Sequence, residues 1–243
     1  MLSRRIGQAL VAFREWLARA LVRANIPPNL LTVLGLVCNL AAGGALAFSR
    51  LYSGLFLMIV SSFFDSLDGA VAKIGGRVTP FGGFLDSTLD RYSDAAVLGG
   101  LMVHFLRQQG RLPTAALAFS TLVGSFVISY ARARAENFIP SCRVGYWERG
   151  ERVTYVMVGL LWGRVDVVMW VLGTLVHWTA LQRILHTRFV LERGEPYRPK
   201  SILMRSLYWD WPRGTIAYDI FTVSYIILPI VAALSGWVQT IGG

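Results

Sequence analysis

The chain has 243 residues, of which 54% are hydrophobic, and its formal net charge is +10. This hydrophobic content is typical of an integral membrane protein and excludes an ordinary soluble domain. The basic residues are not interleaved with aromatic residues as on a nucleic-acid-binding surface, so we expect no nucleic acid partner. We assign the positive charge to membrane orientation and to contact with anionic lipid.

The first predicted element is an amphipathic helix from Leu2 to Arg23. Its arginines alternate with apolar residues that recur every three or four positions, which is the pattern of a helix lying on a membrane surface. A soluble amphipathic helix has the same pattern, but here a membrane span begins soon afterwards. Pro27 and Pro28 end the helix, because proline cannot continue it.

Six membrane spans follow, most of which approach the ~20 residues that cross a bilayer. They are predicted at Leu30–Phe48, Leu51–Lys73, Phe84–Leu106, Ala115–Tyr130, Val153–Trp162 and Val165–Leu185. The fifth is short, and a last apolar stretch at 216–238 is a candidate seventh span. The sequence therefore predicts an all-α integral membrane protein in three parts: a surface helix in residues 1–27, a six-helix transmembrane domain in residues 28–190, and a basic segment with an extra apolar helix in residues 191–243.

The basic residues also predict the orientation of these spans. Of the 24 lysines and arginines, four fall on one side: Arg50, Arg107, Arg111 and Arg164. The positive-inside rule places the side with all the others in the cytoplasm. We therefore expect a protein of the cytoplasmic membrane whose site, described next, faces the cytoplasm.

Four aspartates lie where a membrane segment should carry no charge. Asp65 and Asp68 are near the end of the second span, and Asp86 and Asp90 are near the start of the third. The spacing of three or four residues places each pair on one face of its helix. Since intramembrane acids are costly unless they are paired, four together indicate an all-oxygen site for hard divalent cations. The glycine pairs at 75–76 and 82–83 are expected to break the helix and fold the two spans together.

These aspartates lie in a longer run, D-x2-D-G-x2-A-K-x8-G-x3-D-x3-D, which extends from Asp65 to Asp90. The run resembles the signature of the CDP-alcohol phosphotransferases (CDP-alcohol phosphatidyltransferases), membrane enzymes that make phospholipid head groups. One fixed position differs, because Lys73 stands where the family usually has arginine. Lysine keeps the charge but lacks the planar, bidentate guanidinium group, so we expect a looser grip on the nucleotide phosphate.

The resemblance implies that the hydroxyl group of an alcohol displaces CMP from CDP-diacylglycerol. It implies two divalent cations, Mg²⁺ or Mn²⁺, held by Asp65, Asp68, Asp86 and Asp90, with Asp90 also acting as the general base. Contact with the CDP group is implied for Thr32, Asp68, Gly69, Ala72, Lys73 and Gly82. Gly69 and Ala72 are open to another interpretation, because small residues also permit close packing of helices in lipid.

A second cluster is basic and lies at helix ends on the predicted cytoplasmic side. It consists of Arg132, Arg134, Arg149, Arg152 and Arg183. Cations beside a metal site favour an acceptor that carries its own phosphate. Alternatively, these arginines only follow the positive-inside rule and pair with nearby glutamates.

The sequence around these arginines resembles one branch of the family, the phosphatidylinositol-phosphate synthases. The elements concerned are Ser-Tyr-x-x-Ala-Arg-Ala-Glu from 129, Glu-Arg-x-Glu-Arg from 148 and Gln-Arg at 182. The resemblance implies that Arg132, Arg152 and Arg183 hold the phosphate of inositol phosphate, supported by Arg134 and Arg149. It also implies a homodimer.

We therefore expect an enzyme that makes phosphatidylinositol phosphate from CDP-diacylglycerol and inositol phosphate. Within the family, the alternative acceptor is glycerol 3-phosphate, which gives phosphatidylglycerophosphate. Outside it, a divalent cation transporter would also place acids in a membrane, and a membrane scaffold would have no need of their chemistry. The sequence does not separate a diacyl donor from an ether-linked one.

Overall fold

The computed structural model describes residues 2–194, with side chains from residue 11 onward, so the predicted seventh span at 216–238 lies outside the described residues. Within this range the chain is helical and contains no strand. Its helices are α1 (Leu2–Arg23), α2 (Pro28–Ala47), α3 (Leu51–Ile74), α4 (Pro80–Leu106), α5 (Leu112–Ala135), α6 (Arg149–Leu161) and α7 (Val165–Arg193). The all-α prediction is confirmed for these residues.

Each predicted span corresponds to one helix, but several helices are longer than the spans. α4 begins four residues before Phe84, and α7 continues eight residues beyond Leu185. A helix continues through polar residues once its hydrogen bonds are established, whereas hydropathy marks only the part that suits lipid. Apolar runs therefore locate the helices better than they locate helix ends.

Among the helices of residues 2–194, four are long and apolar enough to cross a membrane, namely α2, α3, α5 and α7. This supports an integral membrane protein. α4 carries the charged residues Asp86, Asp90, Arg91 and Asp94, and α6 has only 13 residues, about 20 Å of helix against a hydrocarbon core of about 30 Å. The count of six spans therefore stays a prediction for these two helices.

The described residues divide into two compact units, one that ends at His104 and one that begins at Phe105. In the first unit, α1 and α2 both pack on α3. Ala18 of α1 lies in an apolar cluster with Leu31, Leu67 and Val71, while Trp16 of α1 is exposed. α1 is thus amphipathic as predicted, and its location on a membrane surface stays a prediction.

The turn between α3 and α4 differs from the prediction in one respect. α3 ends at Ile74, and Gly76 follows with a positive φ of 63°, so the first glycine pair does break the helix. Gly82 and Gly83 instead lie in the first turn of α4. The physical reason is that Thr79 Oγ1 accepts a hydrogen bond of 3.0 Å from the Gly82 N–H, and this cap stabilises the helix start ahead of the glycines.

In the second unit, α5 and α6 both pack on α7. Ser120 Oγ of α5 donates a hydrogen bond of 2.8 Å to the Gly173 carbonyl of α7, which a close approach of the two helices permits. The segment 136–148, between α5 and α6, buries the side chains of Ile139, Cys142 and Trp147. This connection is therefore a packed part of the unit.

Candidate functional site

α2 and α3 together position the first pair of aspartates. Asp68 is 8% exposed, and its Oδ2 accepts a hydrogen bond of 2.7 Å from Thr32 Oγ1, whose residue is 7% exposed. The hydroxyl of Thr32 also lies 3.3 Å from the Pro28 carbonyl, but it has one hydrogen to donate and the carboxylate is nearer. Thr32, which we predicted to contact the CDP group, here contacts the carboxylate of Asp68.

α4 brings one aspartate of the second pair, Asp86, near enough to Asp68 for its charge to act on that carboxylate, as does the charge of Asp65. The other, Asp90, has its Oδ2 atom 3.8 Å from Arg91 Nη2. The motif does not mark Arg91, and adjacency to Asp90 is the only signal that the sequence offers for it.

The donor atoms of this group suit a hard divalent cation, because all of them are carboxylate oxygens. A cation among them would also remove the repulsion between the carboxylates. Over residues 2–194, no three carboxylate, imidazole or thiolate groups converge tightly enough to enclose an ion.

The residues predicted to contact the CDP group differ in their surroundings. A Cβ atom added to Gly69 would meet no atom within 4 Å, so this glycine does not serve close packing of helices in the first unit. Lys73 is exposed and Ala72 is half-buried. A Cβ atom on Gly82 would lie 3.1 Å from Thr79 Oγ1. Gly69 therefore presents open surface directly after Asp68, and Lys73 is exposed near the end of the same helix.

In the second unit, two of the predicted arginines are buried and bound to backbone carbonyls. Arg183 is 2% exposed and donates through Nη1 to the Ile128 carbonyl at 2.7 Å and through Nε to the Val144 carbonyl at 3.1 Å. Arg152 is 4% exposed and donates through Nη1 to the Trp147 carbonyl at 2.7 Å. Sequence reasoning missed these contacts, because a backbone carbonyl leaves no signature in the sequence.

Arg132, Arg152 and Arg183 form one cluster along the segment 136–148, because each donates a hydrogen bond to a residue of this segment: Glu136, Trp147 and Val144 respectively. Two carboxylates offset part of this charge. Glu148 Oε1 lies 3.8 Å from Arg183 Nη2, and Glu136 Oε1 accepts a hydrogen bond of 3.0 Å from Arg132 Nε. Burial opposes the ionisation of Glu136, but the hydrogen bond and charge of Arg132 hold its pKa below the usual value.

The two supporting arginines have other surroundings. The guanidinium group of Arg134 stacks on the Phe138 ring at 4.7 Å. Arg149 is the first residue of α6. The second unit therefore brings together Arg132, Arg152 and Arg183, and the part assigned to Arg134 and Arg149 stays a prediction.

Comparison with known proteins gives consistent matches across this region. The model of the CDP-alcohol phosphatidyltransferase family matches residues 25–186, a range that contains every site residue named above. The archaetidylinositol phosphate synthase of Pyrococcus horikoshii is 35% identical over 181 residues, which are 74% of this chain and 93% of that protein. The phosphatidylinositol phosphate synthase of Mycobacterium tuberculosis strain H37Rv is 36% identical over 183 residues, 70% of this chain and 83% of that protein.

Solved structures give the same result. The crystal structure of M. tuberculosis phosphatidylinositol phosphate synthase with CDP-DAG bound has a TM-score of 0.67 and 32% identity, and covers 72% of this chain and 92% of that one. The structure of that enzyme in complex with manganese and citrate has a TM-score of 0.69 and 31% identity, and it covers 80% of this chain and 99% of that one. The chain is thus similar to this group in both sequence and fold.

Proposed function

Because this chain belongs to the CDP-alcohol phosphatidyltransferase family, we propose that its acceptor is inositol phosphate and its product phosphatidylinositol phosphate or the ether-linked equivalent. The observation that carries the proposal is the cluster of Arg132, Arg152 and Arg183, whose guanidinium groups all bind along the segment 136–148. Guanidinium groups are the side chains best suited to hold a phosphate. The names of the relatives, which are archaetidylinositol phosphate and phosphatidylinositol phosphate synthases, support the same acceptor.

The burial of Arg152 and Arg183 favours a binding role over an orienting one. An arginine that only follows the positive-inside rule needs to reach water, whereas Arg183 is 2% exposed. A buried charge is costly unless it is compensated, and Glu148 lies 3.8 Å from Arg183 Nη2. A phosphate bound here would add further negative charge beside these guanidinium groups.

The hydrogen bonds of Arg183 prepare it for this role. Two of its five N–H groups bind the carbonyls of Ile128 and Val144, which fixes the plane of the guanidinium group. An uncharged acceptor such as inositol or serine would offer these guanidinium groups no negative charge to bind. Glycerol 3-phosphate would satisfy them equally well and remains the second candidate.

The aspartates supply the chemistry in this proposal. Asp65, Asp68, Asp86 and Asp90 would hold the divalent cations, which supply charge neutralisation of the diphosphate when bound. Asp90 takes the proton from the acceptor hydroxyl. The hydroxyl oxygen then forms a bond with the lipid-linked phosphorus in line with the departing group, the phosphoanhydride bond breaks, and CMP leaves with the bonding electrons.

The residues around Asp68 have supporting roles in the same proposal. The hydroxyl of Thr32 holds the Asp68 carboxylate in place through its hydrogen bond of 2.7 Å. The open surface beside Gly69 admits the nucleotide, and the ammonium group of Lys73 contacts the phosphate of the departing CMP. Ala72 and Gly82 complete the predicted nucleotide contacts.

The decisive experiment is CMP release by the purified protein in detergent with Mg²⁺. CDP-diacylglycerol and its ether-linked analogue would each be offered with inositol phosphate, glycerol 3-phosphate, inositol and serine. We expect turnover with inositol phosphate. Turnover with glycerol 3-phosphate alone would identify the second candidate, and turnover with inositol or serine alone would contradict the role of the arginine cluster.

Three further expectations belong to this proposal: two metal ions, a homodimer, and an active site that faces the cytoplasm. Metal analysis of the purified protein would count the ions. Light scattering in detergent would give the oligomeric state. For the orientation, a membrane-impermeant thiol reagent would label a cysteine introduced at the exposed Lys73 in inside-out vesicles and leave it unlabelled in intact cells.

A further inference from the structure

α2 and α3 present matching faces to each other along the line that leads to the aspartates. The facing residues are Thr32, Gly35 and Asn39 on α2 and Ser61, Asp65 and Asp68 on α3. Each set recurs every three or four residues and so follows one face of its helix. The predicted metal ligands of α3 therefore lie against a defined face of α2.

Two buried hydrogen bonds fix the distance between these faces. Asn39 Nδ2 donates to Ser61 Oγ at 2.7 Å, and Ser61 Oγ donates to the Gly35 carbonyl at 2.9 Å. All of these groups are shielded from water, so breaking either bond would leave a buried polar group unsatisfied. The backbone of α2 at Gly35 is thus held in register with α3.

The carboxylate of Asp65 occupies the space that a side chain at position 35 would need. A Cβ atom built on Gly35 would lie 2.7 Å from Asp65 Oδ1, a separation too short for these atoms, while its next neighbours, Phe64 Cβ and Ser61 Oγ, would be at an ordinary 3.6 Å. The conflict therefore involves one atom, and this atom belongs to the aspartate motif.

Other glycines of this unit serve a different purpose. A Cβ atom on Gly43 would strike the backbone carbonyl of Ala96, and one on Gly54 would lie 2.6 Å from two carbon atoms of the buried Leu46 side chain. Those glycines permit close packing of helices. Of Gly35, Gly43 and Gly54, Gly35 alone has a carboxylate oxygen as the atom that an added Cβ would strike.

We propose that Gly35 is a positioning residue for Asp65: the missing side chain lets the Asp65 carboxylate lie against α2, in the place from which it holds a divalent cation. This inference rests on the proposed function, since it takes Asp65 to be a metal ligand. The conflicting oxygen lies at the end of a side chain that can rotate. Alanine at position 35 would therefore turn the carboxylate aside without separating the helices.

The test compares Mn²⁺ binding by Gly35→Ala with that of two control variants, using electron paramagnetic resonance on purified protein without substrate. Gly44→Ala is the matched control. Gly44 lies on the same helix as Gly35, and an added Cβ there would meet no atom within 4 Å. Gly54→Ala controls for a steric conflict away from the aspartates. Thermal unfolding of each variant is measured in parallel.

We expect Gly35→Ala to weaken Mn²⁺ binding by roughly 10- to 100-fold, the usual effect of losing a residue that orients a metal ligand, with little change in unfolding temperature. Gly44→Ala should change neither quantity, and Gly54→Ala should lower the unfolding temperature alone. If Gly35→Ala binds Mn²⁺ as Gly44→Ala does, the proposal is overturned.

A double variant keeps the proposal testable if Gly35→Ala does not fold. Without the carboxylate, Gly35→Ala in an Asp65→Ala background should fold and should bind Mn²⁺ no more weakly than Asp65→Ala alone. Misfolding of the double variant, or a further loss of binding, would mean that helix packing requires the glycine. Wild-type protein that binds Mn²⁺ but releases no CMP would refute the proposed function and leave this inference standing; wild-type protein that binds no Mn²⁺ would refute both.

Discussion

The hydrogen bond between Thr32 and Asp68 leads to a quantitative prediction for Thr32→Val. Valine has the shape of threonine but lacks the hydroxyl, which lies 2.7 Å from Asp68 Oδ2. Because both residues are buried, water cannot readily replace the lost donor. A hydrogen bond to a charged group contributes about 1.5–3 kcal/mol, which corresponds to roughly 10- to 150-fold in the equilibrium that holds the carboxylate in this orientation.

The assay is the rate of CMP release as a function of Mg²⁺ concentration. We expect Thr32→Val to raise the half-saturating Mg²⁺ concentration by a factor within that range, and Thr32→Ser to restore it. Thr121→Val is the matched control, because Thr121 is equally buried but its hydroxyl binds a carbonyl of its own helix. If the Mg²⁺ requirement is unchanged and the KM for CDP-diacylglycerol rises instead, Thr32 contacts the nucleotide and our reasoning about Asp68 is wrong.

Three more predictions concern the other groups. Arg183→Lys should raise the KM for inositol phosphate by about tenfold or more, which is the effect of one lost charge-assisted hydrogen bond. Arg188→Lys, on the exposed side of α7, is the control and should leave this KM unchanged. If the two variants have the same KM, the acceptor assignment is wrong. Asp90→Asn should lower kcat by roughly 100- to 10,000-fold, and Asp166→Asn should leave it unchanged. Burial raises the pKa of the Cys142 thiol, so maleimide should label it far more slowly in folded than in denatured protein, and equal rates would show that it is accessible.

The helices of this protein could be predicted because their signals are local. Apolar runs marked α2, α3, α5 and α7, and the alternation of arginine with apolar residues gave α1 its observed bounds. α4 is different. Its carboxylates lower the hydropathy of the segment, so the residues that carry the proposed chemistry are also those that leave its membrane span a prediction.

The candidate site was predictable only in part, for a related reason. Motif spacing identifies residues that share a helix face, such as Asp65 and Asp68 on α3. Spacing does not reveal a partner on another helix. The hydroxyl that binds Asp68 and the glycine that makes room for Asp65 both come from α2, and their relation to α3 depends on packing that no local pattern encodes.

The arginine cluster has a structural role that neither interpretation of the sequence anticipated. The carbonyls that Arg183 and Arg152 bind belong to the end of α5 and to the segment 136–148, so these guanidinium groups help to build the wall in which they lie. A lysine could carry the charge, but an ammonium group cannot bind two carbonyls in one plane and still present a fixed face to a phosphate. The structural role and the proposed binding role therefore both require a planar cation with several N–H donors at these positions, and arginine is the side chain that provides one.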